Sequence, residues 1–270
     1  MSHILITGGS GSLGRQLIPL LMEAGHTVRV LSRRARKASD DVSLEWAQGA
    51  LASGEGVAEA VEGVDTIIHA ASTPAAAKKV DIGGAQRLLE IGKKNGLAHF
   101  VYISIVGVDQ HPFPYYKAKY ETERLIRAQD VPWTILRATQ FHTFLGDLII
   151  PALFRMPLVF LPTDIPFQLI DVSEVGQRMT ELVQQGPSEY AEDIGGPEIL
   201  SWGELANSWM AAQGMQRKVR HLPIPGKVAR AFREGVHTTP ENRYGKISWQ
   251  QWLDKRFASQ AKLQTESAQV

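Results

Sequence analysis

A short apolar run, His3-Ile4-Leu5-Ile6, leads straight into "TGGSGSLG", Thr7 to Gly14, and then into the helix-length stretch "RQLIPLLMEAG". Strand, glycine turn and helix in that order leave few folds open to a chain. The glycines spell two overlapping patterns. Gly9, Gly11 and Gly14 give G-x-G-x-x-G, while Gly8, Gly11 and Gly14 give G-x-x-G-x-x-G. A turn of this kind reverses the chain tightly, lets backbone N–H groups approach a pyrophosphate, and aims a helix N-terminus at its charge. Thr7, Gly8, Gly9, Ser10, Gly11, Ser12, Leu13 and Gly14 are therefore the expected phosphate-binding residues.

The alternation continues through the first half. Residues 4–7, 27–31, 44–46, 65–69, 100–104 and 133–137 read as strands, and 13–24, 81–94 and 115–128 as helices between them. Short apolar runs bounded by Gly and Pro and separated by helices predict parallel βαβ units, an α/β fold with a Rossmann-type doubly wound sheet. After Arg137, Pro151, Pro157, Pro162 and Pro166 break up an aromatic-rich segment. "DVSEVGQRMTELVQQG" reads as a helix capped by Ser173, "SWGE" (Ser201 to Glu204) fits a capping box, and the tail from Gly226 is helical. The expected division is an NAD(P)-binding core over 1–137 and a smaller, mostly helical substrate lobe over 138–270, integrated in one folding unit.

The end of the second strand bears on the choice of cofactor. An NAD site usually places a carboxylate there for the ribose hydroxyls. This chain reads "VLSRRARK", with Arg33 and Arg34 and no acid until Asp40. A guanidinium can meet a 2′-phosphate with two hydrogen bonds, so NADP(H) is expected over NAD(H).

Composition removes several classes. The chain has no cysteine, which excludes disulfides and thiolate chemistry and suits a cytoplasmic protein; no leader pattern opens it. The eight histidines show no metal-ligand spacing, and Ser10 and Ser12 belong to no G-x-S-x-G elbow, so neither a metal site nor a hydrolase is expected. The net charge of +1 gives no reason to expect a nucleic-acid or membrane-surface partner. "FLGDLIIPALFRMPLVFLP" comes nearest to a membrane span, but Asp147, Arg155 and its prolines interrupt it. It reads as a buried helix and loop lining a pocket. The partner to expect is a small-molecule substrate, with monomer and homo-oligomer both open.

With "TGGSGSLG", "HAAS" and "YYKAK", the chain resembles the short-chain dehydrogenase/reductases. More narrowly, it is similar to their atypical NmrA-like group of NAD(P)-binding quinone reductases and redox sensors. The likeness spans roughly residues 3 to 200, with "RATQFH" and "IGGPEILSWGELA" included. It implies that Ala70, Ala71 and Ser72 lie along the cofactor, and that Tyr115 and Lys119 form the family's Tyr-x-x-x-Lys pair. In that pair the lysine favours the phenolate and binds the nicotinamide ribose, and the tyrosine exchanges a proton with the substrate oxygen. The usual third member is a serine after strand five; here the aligned position is Ile105, and either Ser104 reaches from one place back or the triad is incomplete. Gln140, Phe141 and His142, leaving strand six at the sheet's carboxyl edge, are the expected substrate contacts. Two readings follow: an NADPH-dependent oxidoreductase acting on a quinone or similar small carbonyl compound, or a non-catalytic NADP(H)-sensing regulator. A nucleotide-sugar epimerase with bound NAD is disfavoured by the arginines and the short substrate lobe.

Overall fold

The computed structural model describes residues 1–37 and 41–267, with the side chains of the last helix followed as far as residue 258. Asp40 lies outside the described residues. The chain folds into two compact units, Met1–Ala138 with Val172–Asp193, and Thr139–Asp171 with Ile194–Val270.

The first unit opens with β1 (His3–Thr7), α1 (Ser12–Glu23), β2 (Thr27–Ser32), β3 (Glu45–Gln48), α2 (Val57–Val61) and β4 (Thr66–His69). It continues with α3 (Gly83–Lys94), β5 (His99–Ile105), α4 (Pro114–Arg127) and β6 (Trp133–Ala138). Ile4, Leu5 and Ile6 of β1 have no exposed surface, as a parallel strand covered on both faces requires. α3 turns Gly84, Ala85, Leu88, Leu89 and Gly92 inward at helical spacing. α4 begins on Pro114, whose missing N–H costs nothing at a first helical position.

The strands run parallel in the order β3-β2-β1-β4-β5-β6, the Rossmann-type α/β architecture. The winding direction reverses between β1 and β4, where Thr7 and His69 end their strands in register. Open sheets of this kind bind ligands in the crevice at that point.

From β6 the chain enters the second unit with α5 (Ile150–Phe154), β7 (Val159–Leu161) and β8 (Pro166–Phe167), then returns with α6 (Val172–Gln185) and β9 (Glu189–Tyr190). The two units are therefore not consecutive along the chain, because residues 172–193 return to the first unit after the break near residue 137. The reason is packing: α6 lies on α1, close enough at Gly176 that an added Cβ would meet the Gln16 Cβ at 3.1 Å, and β9 pairs beside β6. α6 starts at Val172, so Asp171 precedes its first turn and Ser173 is not the cap expected.

The second unit is completed by β10 (Leu200–Ser201), α7 (Trp202–Ala212), β11 (Val219–His221), α8 (Lys227–Arg233) and α9 (Trp249–Ser267). Its core joins Leu145, Ile150, Phe154, Leu205, Trp209 and Trp249. The capping box at α7 is formed in both directions, with Glu204 N–H donating to Ser201 Oγ at 3.2 Å and Ser201 N–H to Glu204 Oε2 at 2.7 Å. The segment read as a buried helix and loop is buried on one side: Leu145, Ile150 and Phe154 are inside, while Leu148, Met156, Leu158 and Phe160 are exposed. A one-turn helix and a three-residue strand each bury only one side. Among the described residues, no helix is long and apolar enough to cross a membrane, and no group of three His, Cys, Asp or Glu side chains could hold a metal ion.

Candidate active site

The glycine turn is packed too tightly for side chains. Gly8 has φ +77°, and a Cβ added there would sit 2.7 Å from the Ala71 N. At Gly14 an added Cβ would lie 2.4 Å from the Gly8 O and 2.5 Å from the Gly9 Cα. The turn closes through Gly11 N–H donating to Gly8 O at 2.9 Å. Gly11 caps α1 without a side chain, and the first turn contains no acid, so nothing within the helix offsets its N-terminal N–H groups. Ser10, Gly11 and Ser12 are exposed and Leu13 is buried. These residues fit the pyrophosphate of a dinucleotide.

Ala70 and Ala71 press on this turn from β4. Ala71 N–H donates to Thr7 Oγ1 at 3.3 Å, and Thr7 Oγ1 is 2.8 Å from His69 Nδ1. His69 Nε2 lies 3.4 Å from the Asp81 carbonyl, which can only accept, so in the neutral ring Nδ1 is the acceptor and the Thr7 hydroxyl donates to it. His69 is fully buried, and that burial pushes its pKa down to about 4, so the ring is neutral at physiological pH.

At the end of β2 the two arginines separate. The Arg34 guanidinium lies 4.2 Å over the Trp46 ring, and Trp46 Nε1–H donates back to the Arg34 carbonyl at 3.0 Å. Arg33 is exposed at the strand's carboxyl end and is the freer of the two to meet an anion.

α4 sets Tyr115 and Lys119 four residues apart on one face. Their polar atoms are joined through two other residues. Tyr115 OH lies 2.6 Å from Ser72 Oγ, and Ser72 Oγ–H donates to Asp81 Oδ1 at 2.7 Å. Since Ser72 has spent its proton on Asp81, the phenol is the donor to Ser72. Lys119 Nζ donates to the Ile103 carbonyl at 2.8 Å, reaches Asp81 Oδ1 at 3.4 Å, and sits 4.3 Å above the Tyr102 ring. Asp81 has no exposed surface and Lys119 only 3%.

Asp81 escapes a reading of the sequence. It lies in a π-type turn, Lys78–Ile82, ahead of α3. One signal was available, because Asp81 shares helical spacing with Ala85 and Leu88 on the inward face. An acid there must have a partner, which is Lys119.

In this arrangement the lysine is paired with Asp81 and not with the phenol. Burial pulls Lys119 below its usual pKa, against the pull of Asp81, whose carboxylate neutralises the ammonium. Burial also pushes the Tyr115 phenol up to about 12, with the Ser72 hydrogen bond opposing and Asp81 adding to the rise. The phenol, not the phenolate, is the stable form. Ser104 is buried, and its hydroxyl has no hydrogen-bond partner among the described residues. Ile105, its neighbour on β5, points to the opposite face of the sheet. The serine that meets Tyr115 is Ser72.

Gln140, Phe141 and His142 belong to the second unit. Gln140 is half-buried and its carbonyl accepts from Ile170 N–H at 3.0 Å, while Phe141 pairs with Ile170 as an isolated bridge. His142 is packed rather than displayed, 1% exposed and stacked 5.9 Å from Trp252, with Nδ1 3.6 Å from Asp171 Oδ2. In the first unit, two open grooves of about 410 and 300 Å³ share Asp109 of the loop after β5 and Tyr120 of α4, and touch neither Tyr115 nor Lys119. Charged side chains line them, and the connected polar groups lie elsewhere.

Comparison with known proteins places the chain in a family. A family model described as NAD(P)H-binding matches residues 8–144. The photosystem II assembly factor Ycf39 of Trieres chinensis is 24% identical over 230 residues, 82% of this chain and 72% of that protein. Ycf39 of Synechocystis is 28% identical over 192 residues, 67% of this chain and 58% of its own length. The NADPH-dependent quinone oxidoreductase QOR2 of Escherichia coli, solved with NADPH, superposes with a TM-score of 0.77 at 15% identity, covering 94% of this chain and 99% of that one. The glycine turn at the head of a doubly wound sheet and the family match over half the chain lead to one conclusion: this chain belongs to the NAD(P)H-binding family.

Proposed function

We propose that the protein is an NADPH-dependent oxidoreductase acting on a quinone or a similar small carbonyl compound. The observation that carries this reading is the chain of polar groups from the Tyr115 phenol through Ser72 and Asp81 to Lys119. The pyrophosphate would be held by Gly8 to Gly14 and the N-terminus of α1, and a 2′-phosphate by Arg33. When bound, the dihydronicotinamide supplies a hydride. A quinone that accepts it needs one proton to become the hydroquinone. Tyr115 holds that proton at neutral pH, because burial keeps the phenol undissociated to about pH 12. The phenolate left behind takes the Ser72 hydroxyl proton, and Ser72 is refilled by way of Asp81 Oδ1 from the Lys119 ammonium, which ends neutral and regains its proton from solvent.

A second reading, a regulator that binds NADP(H) without turnover, draws on a different observation. Lys119 is turned inward onto Asp81 and the Ile103 carbonyl, and Ser104 offers its hydroxyl to no partner among the described residues. The relatives named as assembly factors give this reading some weight.

The test is NADPH oxidation by the purified protein against a panel of small quinones, with NADPH binding followed in the same samples. The reductase reading expects turnover, and a loss of about 100-fold or more in kcat/KM for Tyr115→Phe with cofactor affinity unchanged. Tight binding with no turnover across the panel would establish the sensor instead. A Tyr115→Phe protein as active as wild type would remove the phenol from the chemistry.

A further inference from the structure

We infer that the β7–β11 edge of the second unit is a docking surface for a bilayer containing anionic lipid. This inference is independent of the reaction proposed above. Exposed large apolar side chains concentrate there: Met156, Leu158, Phe160, Leu222 and Ile224 are between 40% and 61% exposed. The two segments are joined by parallel pairing, with Val159 beside Val219, Phe160 beside Arg220 and Leu161 beside His221. Strand alternation sinks Val159 and Leu161 into the core and turns Leu158 and Phe160 outward, so Phe160 and Arg220 share one outer face. Leu222 N–H extends the pairing by donating to Leu161 O at 2.9 Å.

The charge around this apolar surface is predominantly positive, with Asp164, paired to Arg233, an acid at its border. Arg155, Lys218, Arg220, Lys227 and Arg230 are all exposed, and no acid occurs in residues 148–163 or 215–233. Two further cations are engaged: Arg217 donates to the Phe154, Met156 and Pro157 carbonyls, tying the two segments together, and Arg233 pairs with Asp164. The net charge of +1 over the whole chain conceals this local excess, which is why composition argued against a membrane partner.

Every residue from His221 to Lys227, "HLPIPGK", is exposed. Pro223 and Pro225 carry no backbone N–H, which lowers the cost of moving that loop into a layer poor in water. Protruding Leu, Met, Ile and Phe side chains gain nothing from a phosphate backbone but are buried at a lipid interface, while the cations meet the headgroups. That combination selects an anionic bilayer over a nucleic acid or an acidic protein.

The test uses the full chain in flotation with vesicles of phosphatidylcholine alone and of phosphatidylcholine mixed equally with phosphatidylglycerol. Binding is expected to the mixed vesicles only, and to weaken with added salt. The pair Lys218→Ala and Arg220→Ala should lower partitioning about thirty-fold, from about five-fold per cation. The pair Leu158→Ser and Phe160→Ser should lower it at every salt concentration. All four positions are at the surface or beside it, so circular dichroism and NADPH binding should be unchanged. Three outcomes overturn the proposal: no flotation with mixed vesicles, equal flotation with neutral ones, or binding to heparin that Leu158→Ser leaves intact while vesicles are ignored. The last would assign the surface to a polyanion.

Discussion

Removing the Asp81 carboxylate should cost the protein more stability than any change of comparable size on its surface. In Asp81→Ala, Lys119 keeps its position at 3% exposure with the Ile103 carbonyl and the Tyr102 ring but loses its direct ion pair, and only the weaker, non-bonded pull of Glu123 is left to offset its charge. Breaking a buried ion pair by deleting one partner costs about 3–5 kcal/mol, because the remaining charge is left uncompensated. With a slope of about 2.5 kcal/mol per molar, this lowers the urea midpoint by roughly 1–2 M. Replacing both partners with apolar residues of similar volume, Asp81→Leu with Lys119→Met, removes the orphaned charge and should recover about 2 kcal/mol of that loss. The pair also sets an alkaline pH dependence. Burial holds the folded Lys119 below its usual 10.5, so between the folded and unfolded values the unfolded chain binds the extra proton. Stability should therefore rise as pH increases toward 10.5, and Lys119→Met should flatten that slope. Urea unfolding of the four proteins at two pH values measures both effects. If Asp81→Ala costs under about 1 kcal/mol, or the double variant is as unstable as the sum of the singles, the pair is not the buried unit described.

Three shorter predictions accompany it. Gly14→Ala, whose Cβ would fall 2.4 Å from the Gly8 O, should lose about 1–3 kcal/mol of stability and at least about ten-fold in NADPH affinity by calorimetry. Gly11→Ala, at 3.1 Å from the same oxygen, should lose clearly less. Arg33→Ser should weaken NADPH about ten-fold or more and leave NADH unchanged, whereas Arg34→Ser should act chiefly on Trp46 fluorescence; equal loss for both cofactors would remove Arg33 from the 2′-phosphate. His69 and His99 are both pushed by burial to about 4, so each should cost stability as pH falls from 6.5 to 4, about 3 kcal/mol apiece. Imidazole resonances followed by NMR should stay at the neutral position down to about pH 5, and a midpoint near 6.5 for either ring would contradict its burial.

Local signals made the first unit legible. The glycines of the turn, the apolar strand runs and the i, i+4 spacing of Tyr115 and Lys119 are all read within a dozen residues. What escaped depends on contacts between distant residues. α6 looks like any amphipathic helix, and only its fit against α1 at Gly176 assigns it to the first unit. Ser72 and Asp81 meet Tyr115 across 43 positions and Lys119 across 38, and no periodicity encodes that meeting. Met156, Leu158 and Phe160 read as core because they are apolar, but β7 is an edge three residues long and can bury only alternate side chains.

The proposed hydride transfer beside the Tyr115–Ser72–Asp81–Lys119 chain can be read from isotopic substitution of the cofactor. The measurement is single-turnover oxidation of NADPH carrying deuterium at one or the other C4 position, with a small quinone as acceptor. The expected result is slower oxidation for one epimer and an unchanged rate for the other. Bound cofactor that is never oxidised, or oxidation at the same rate for both epimers, would contradict it.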